Sequence, residues 1–236
     1  RALGVDRLRE DSSGNAARAL AAHAARAGLA ARLYVPEAAG AATVASIERT
    51  GAEVVAVPGD RRAVTEACLS DGEGWYASHA WRPEFYAGTA TAAFELAAAG
   101  ADPEAVVLPV GHGTLLLGLY RGYRALERAG QIGAIPRLVA GQPADGGSLL
   151  DASDGGDLAP GVRVPAPARE AQVREAIVAT GGEVVAVAPA AIERAHRDLH
   201  RLGLEACSTS AVALAARREV DVDDATVVLT GRDRAP

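Results

Sequence analysis

Lysine is missing from this chain. All 24 basic residues of its 236 are arginine, and methionine is missing too. Arginine stays protonated and cannot form a Schiff base, so no residue here can do the covalent chemistry of a lysine amine. The Walker phosphate motif, which requires lysine, is also excluded. Aromatics make up only 4% of the residues, so the core must be built from Ala, Val and Leu. Only Cys68 and Cys207 are present, which rules out a disulfide framework and a structural zinc site formed from cysteines alone. Such sparse cysteine suits a reducing, cytoplasmic location. Positive charge is not in excess: the net charge of -6 argues against a nucleic-acid partner, which needs a basic face. No apolar run approaches the ~18 residues of a membrane span, and residues 1–30 show no signal-peptide core. Heavy use of Ala, Arg and Gly without Lys is what GC-rich coding produces, which accounts for the surface but not for a catalytic position.

What is present reads as strand and helix in alternation, the pattern of a parallel α/β sheet. Helical spacing covers 15–27 and is ended by Gly28; strand 31–36 stops at Pro36; helix 41–50 closes at Gly51; strand 53–57 and helix 60–70 follow. Residues 72–90 break the rhythm and hold both tryptophans, Trp75 and Trp81. Helix 91–99 leads to the apolar strand 105–110, expected to be buried on both faces. Helix 115–129 and strand 137–141 come next, then a loop over 143–168, a length that is usually functional or mobile. Helix 169–179, strand 183–188, helices 189–201 and 209–218, and strand 226–229 complete the chain. Arg1-Ala2-Leu3-Gly4-Val5 reads as the tail of a helix entering a strand, so an upstream part is expected and the chain reads as a fragment.

Two stretches carry chemistry. Asp11-Ser12-Ser13-Gly14-Asn15 stands at a strand-to-helix junction, where Ser and Asn serve either as caps or as part of an anion site at the helix N-terminus. Gly111-His112-Gly113-Thr114 follows an apolar strand and opens a helix, which lets backbone N–H groups approach a phosphate. Gly111, Gly113 and Gly118 do not have the dinucleotide spacing, so a smaller phosphate-bearing ligand fits better than NAD.

With these stretches in view, the chain resembles a known family. Asp11 to Ala17, Ala24 to Gly28, Val35-Pro36-Glu37, Gly51 to Val55, Gly88-Thr89-Ala90-Thr91 to Glu95, Pro109 to Thr114, Gly181 to Val187, Thr209-Ser210-Ala211 and Leu229-Thr230-Gly231 run in the order found in the serine/threonine dehydratase and threonine synthase group. These are fold type II pyridoxal phosphate (PLP) enzymes, similar to the tryptophan synthase β chain. Ser12 to Asn15 and Gly74 to His79 look most like threonine synthases.

The resemblance implies an α/β fold of two doubly wound parallel-sheet domains with the cofactor cleft between them. Residues 1–80 would form part of the smaller, substrate-covering domain, and 81–236 part of the larger, phosphate-binding one. Asn15 resembles the residue that meets the cofactor's 3′-oxygen, and Ser12, Ser13 and Gly14 the loop for the substrate carboxylate. Gly111, His112, Gly113, Thr114 and Leu115 resemble the phosphate loop, and Ser210, or Thr209 if the register slips by one, the hydroxyl facing the pyridine nitrogen. The expected activity is that of an amino-acid lyase or synthase, threonine synthase first: O-phosphohomoserine and water would give threonine and phosphate. A dehydratase or ammonia-lyase on the same fold is the alternative, as is a non-catalytic remnant. The family lysine belongs to a Ser-Phe-Lys-like segment upstream of the Ser-Ser-Gly-Asn loop, so no catalytic residue is assigned within this chain. Cys207-Ser208 and Arg232-Asp233-Arg234 depart from the family pattern. Dimers are common in the family, so a homodimer is a further expectation.

The remaining titratable residues read more plainly. His79 is expected to be a hydrogen-bonded structural residue, and Glu95 is placed by the resemblance in a buried pair. His196 and His200 stand at i, i+4 but lack a third ligand, so no metal site is expected.

Overall fold

The computed structural model describes residues 4–12, 14–150, 155–164 and 166–232. Ser13, Asp233 and Arg234 lie outside the described residues. The chain divides into two units, Arg1–Arg82 and Pro83–Pro236.

The first unit is a parallel sheet with helices on both faces. Its elements are β1 Arg7–Glu10, α1 Asn15–Ala27, β2 Ala30–Pro36, α2 Ala41–Glu48, β3 Glu53–Val57, α3 Arg61–Ser70 and β4 Trp75–Tyr76. The strand order is β3-β2-β1-β4, and every pairing is parallel. β2 explains the two-sided cover. Leu33 and Val35 pack with Ala17, Ala21 and Ala24 of α1, while Tyr34, on the opposite face, packs with Val64 and Cys68 of α3. Three alanines at helical spacing let α1 lie close to the sheet. Gly28, at φ 67°, supplies the left-handed residue that ends α1, and Asp60 caps α3 by accepting from the Ala63 N–H at 3.0 Å.

The end of α3 is pinned to β2 by Asp71, which accepts from the Tyr34 hydroxyl, from Arg32 at 2.7 Å and from the Glu73 N–H. These bonds, Tyr34's first, hold the Asp71 carboxyl well below its ordinary value of 3.8. A depressed folded value means that ionised Asp71 stabilises the fold above the unfolded value, and that this gain disappears as pH falls through the folded one. Urea midpoints measured from about pH 5 down to about pH 2 should therefore fall less steeply in Asp71→Asn than in the parent chain. Equal slopes would remove Asp71 from the account of acid unfolding.

The second unit repeats the plan. Helices α4 Pro83–Thr89 and α5 Thr91–Ala98 precede β5 Ala105–Pro109, α6 Thr114–Arg128, β6 Arg137–Pro143, α7 Glu170–Ala179, β7 Val184–Val187, α8 Pro189–Arg201, α9 Ser208–Arg217 and β8 Ala225–Val227. The order β7-β6-β5-β8 is again wholly parallel. All five residues of β5 are buried, as a strand covered on both faces requires. Val107 and Val139 pack toward α8 and α9, and Val106, Leu108 and Leu138 toward α6 and α7.

In each unit the first three strands step outward and the fourth returns to the far side of the first. The strand order therefore reverses at β1 and at β5. In open α/β sheets, ligands bind beyond the carboxyl ends of strands at such a reversal. Asp11 to Asn15 follow β1, and Gly111 to Thr114 follow β5.

Several expectations need adjusting. Helix 41–50 ends at Glu48. The stretch 72–90 contains β4 and α4, which periodicity could not reveal because one has two residues and the other opens on Pro83. Glu95 is exposed rather than buried, because Ala93 is the α5 residue that turns into the core. The loop over 143–168 is anchored in its described part: Arg163 reaches Asp145 at 2.8 Å and the Leu158 carbonyl at 2.7 Å. Two 3-10 turns, Ser148–Leu150 and Pro160–Val162, lie within it.

Candidate functional site

In the second unit the site begins with the end of β5. The Val110 N–H still donates to the Gly141 carbonyl at 3.1 Å, and the chain then turns through Gly111, His112 and Gly113 into α6. Gly113 has φ +79°, and a Cβ there would stand 2.1 Å from Val173 Cγ2 of α7. A Cβ on Gly111 would stand 2.8 Å from the Gly161 carbonyl oxygen. Glycine is therefore required twice over by close approach. The loop is also held from behind. Gln142 is fully buried; its Nε2 donates to the Val110 carbonyl at 2.9 Å, and its Oε1 accepts from the Leu149 N–H at 2.8 Å. Thr89 donates to the Thr114 carbonyl at 3.1 Å, and Leu115 packs against the core. The first turn of α6 carries no acidic residue, so its N–H groups and dipole favour an anion.

The N-terminus of α9 approaches the same loop through Gly161. The Gly161 N–H donates to Thr209 Oγ1 at 3.3 Å, while its carbonyl faces Gly111. The structure thus brings Gly111 and Thr209 to one turn. Ser210 is engaged differently. It is buried, its hydroxyl donates to the Gly231 carbonyl at 2.8 Å, and it accepts from the Gly231 N–H at 2.9 Å. Its single proton is committed to the backbone. Cys207 Sγ lies 3.6 Å from Ser210 Oγ.

In the first unit, Ser12 is buried and its Oγ accepts from the Gly14 N–H at 3.3 Å. Gly14 is the cap residue of α1, with no side-chain cap bond, and Asn15 Oδ1 instead accepts from Arg18 at 3.3 Å. As at α6, the first turn has no acidic residue.

Two residues beneath this loop, Asp11 of the motif and its neighbour Glu10, have no role in the sequence reading. Asp11 is buried and accepts from Thr65 at 2.6 Å, Tyr76 at 2.8 Å and Arg61 at 3.2 Å, tying α3 and β4 to the end of β1. Glu10 is fully buried on the opposite face, where Oε1 accepts from the His79 backbone N–H at 3.1 Å and from its Nδ1 at 2.6 Å. His79 is thus the hydrogen-bonded residue expected. The available signal was weak: an acidic pair ending a strand that also carries Arg7 and Arg9.

The two thiols differ. Burial pushes the Cys68 thiol up to about 12, whereas Cys207 is partly exposed. A thiol reagent should titrate one cysteine in the native chain, Cys207, and both in denaturant. Native labelling at Cys68 would contradict its packing between α3 and the sheet. Among the described residues, no three metal-ligating side chains form a cluster, and no helix is long and apolar enough to cross a membrane.

Comparison with known proteins adds independent observations. A family model described as pyridoxal-phosphate dependent enzyme matches residues 2–231. A threonine synthase from Methanosarcina acetivorans is 28% identical over 255 residues, covering 96% of this chain and 61% of the relative. A threonine synthase from Synechocystis sp. is 31% identical over 197 residues, covering 80% of this chain and 51% of the relative. This chain therefore spans about half to three fifths of the length of these relatives. Among solved structures, a threonine deaminase from T.th. superposes with a TM-score of 0.82 at 25% identity, over 99% of this chain and 80% of that one. The architecture is that of fold type II, similar to the tryptophan synthase β chain, with two parallel-sheet α/β units.

Proposed function

This chain belongs to the family of pyridoxal-phosphate dependent enzymes, and on that premise we propose that it is part of an amino-acid lyase or synthase whose reaction is threonine formation from O-phosphohomoserine. The observation that carries the reading is the glycine cradle between β5 and α6, where close packing admits no Cβ and the helix N–H groups have no acidic neighbour in the first turn. Such a cradle suits the phosphate of a small cofactor. The two threonine synthase relatives above favour this substrate over others. The T.th. threonine deaminase favours the second reading, a dehydratase acting on a hydroxy-amino acid.

Bound pyridoxal phosphate supplies an electron sink for substrate carbon chemistry. The residues of this chain would bind and orient. Gly111, His112, Gly113, Thr114 and Leu115 would hold the phosphate through backbone N–H groups at the start of α6. Thr209 would donate to the ring nitrogen in preference to Ser210, whose proton Gly231 takes. A neutral hydroxyl there leaves that nitrogen unprotonated and so favours elimination and replacement. Asn15 would meet the ring's 3′-oxygen, and Ser12, Ser13 and Gly14 the substrate carboxylate at the α1 N-terminus. These residues contain no lysine, so no step that moves a proton on the substrate carbon is assigned to them.

The test is a titration of the chain with pyridoxal phosphate, followed by absorbance. Saturable binding that inorganic phosphate competes away is the expected result. No saturable binding at millimolar cofactor would sink the reading. Protection of the bound state by O-phosphohomoserine but not by threonine would favour the synthase, and the reverse the dehydratase.

A further inference from the structure

The outer face of α8 carries a pair of side chains that the proposed reaction does not use. Ile192, Ala195 and Leu199 recur at helical spacing and face the core, which turns His196 and His200 outward. The two imidazoles lie one helical turn apart, with ring centroids 4.6 Å apart and planes at 76°. Their Nε2 atoms converge to 3.2 Å. Two nitrogens bound to one late first-row divalent ion at about 2.0–2.1 Å each, with an angle between roughly 90° and 110°, are about 2.9–3.4 Å apart. The pair already spans that distance, so neither ring would need a new rotamer.

We propose that His196 and His200 form a bidentate site for a borderline divalent cation, copper(II) or nickel(II) ahead of zinc. Imidazole nitrogen suits these ions, and the order follows their intrinsic affinities for nitrogen ligands. Two protein ligands leave the remaining positions to water, which separates this site from a closed structural zinc centre. Without metal, the 3.2 Å contact requires one Nε2–H donor and one lone pair. With metal, both lone pairs point at the ion.

The arginines around the pair outnumber the carboxylates, so the imidazole nitrogens alone must hold the ion. Arg201 pairs with Asp198 at 2.9 Å, Arg218 with the same carboxylate at 2.8 Å, and Arg197 approaches Glu193 at 4.0 Å. Chelation across one turn joins two points of the last stretch of α8, so the bound ion should also resist fraying there.

The experiment is isothermal titration of the untagged chain with nickel(II), alongside His196→Gln, His200→Gln and, as a control on α1, His23→Gln. The expected result is one ion per chain, at least about a tenfold loss of affinity in each α8 variant through loss of the chelate, and no change in the control. Nickel should raise the melting temperature of the parent chain but not of the α8 variants, each compared with its own metal-free melting. Unchanged affinity in both α8 variants, or no binding by the parent chain at millimolar nickel, overturns the assignment.

Discussion

Gly113→Ala should destabilise the second unit by about 2–5 kcal/mol and abolish phosphate binding by its loop. Two independent costs add. The residue sits at φ +79°, where a side chain costs roughly 1–2 kcal/mol. The new Cβ would also stand 2.1 Å from Val173 Cγ2, and overpacking of this kind costs about 1–3 kcal/mol. Val173 cannot turn away easily, because it is β-branched and buried in the core beside α6. The loop must give instead, and its N–H groups lose their common aim. Urea unfolding measures the first effect, and competition between phosphate and pyridoxal phosphate the second. Val173→Ala in the same chain should recover the packing cost but not the backbone cost, so the double variant should be more stable than the sum of the single changes. Strict additivity would show that the close approach is not the cause.

Asp11→Ala should cost about 1–3 kcal/mol, the range for leaving a buried hydrogen-bond donor unsatisfied. Asp11 accepts from Thr65, Tyr76 and Arg61, and its side chain is 5% exposed. Arg61 is half-exposed and would recover its loss in water. The Tyr76 hydroxyl would not, since burial already raises its pKa well above the usual tyrosine range, and an unsatisfied buried donor costs roughly 1–3 kcal/mol. Asp11→Asn keeps one acceptor and should lose less. Because Ser12 and Gly14 follow directly, the alanine variant should also loosen the loop at the α1 N-terminus, seen as faster amide exchange there. A melting temperature equal to that of the parent chain would falsify this reading of Asp11.

Much of the local structure was legible before any coordinates. The strand Glu53–Val57 and the helix Pro189–Arg201 match their expected bounds, because a β-branched run stopped by Pro58 and a Pro-led amphipathic stretch are complete local signals. Gly28 ended α1 as expected, for the conformational reason glycine supplies. The stretch 72–90 carries no such local signal. β4 is two residues long and exists only because it pairs with β1, while Trp75 is covered by Arg82 at 4.2 Å from its ring.

The candidate site divides along the same line. Local sequence suffices for the segments that turn on glycine, the helices that begin without an acidic first turn, the absence of lysine and the order of motifs that resembles the family. These properties are written in neighbouring residues. The assembled fold adds that the strand order reverses at β1 and β5, beyond whose carboxyl ends both loops follow. It also adds that the Gly231 carbonyl accepts from the Ser210 hydroxyl, that Gly161 joins Gly111 to Thr209, and that Glu10, Asp11 and Gln142 brace the loops from below. Each of these facts is a hydrogen bond or close approach between residues far apart in the chain, and such pairings exist only once the sheets have assembled.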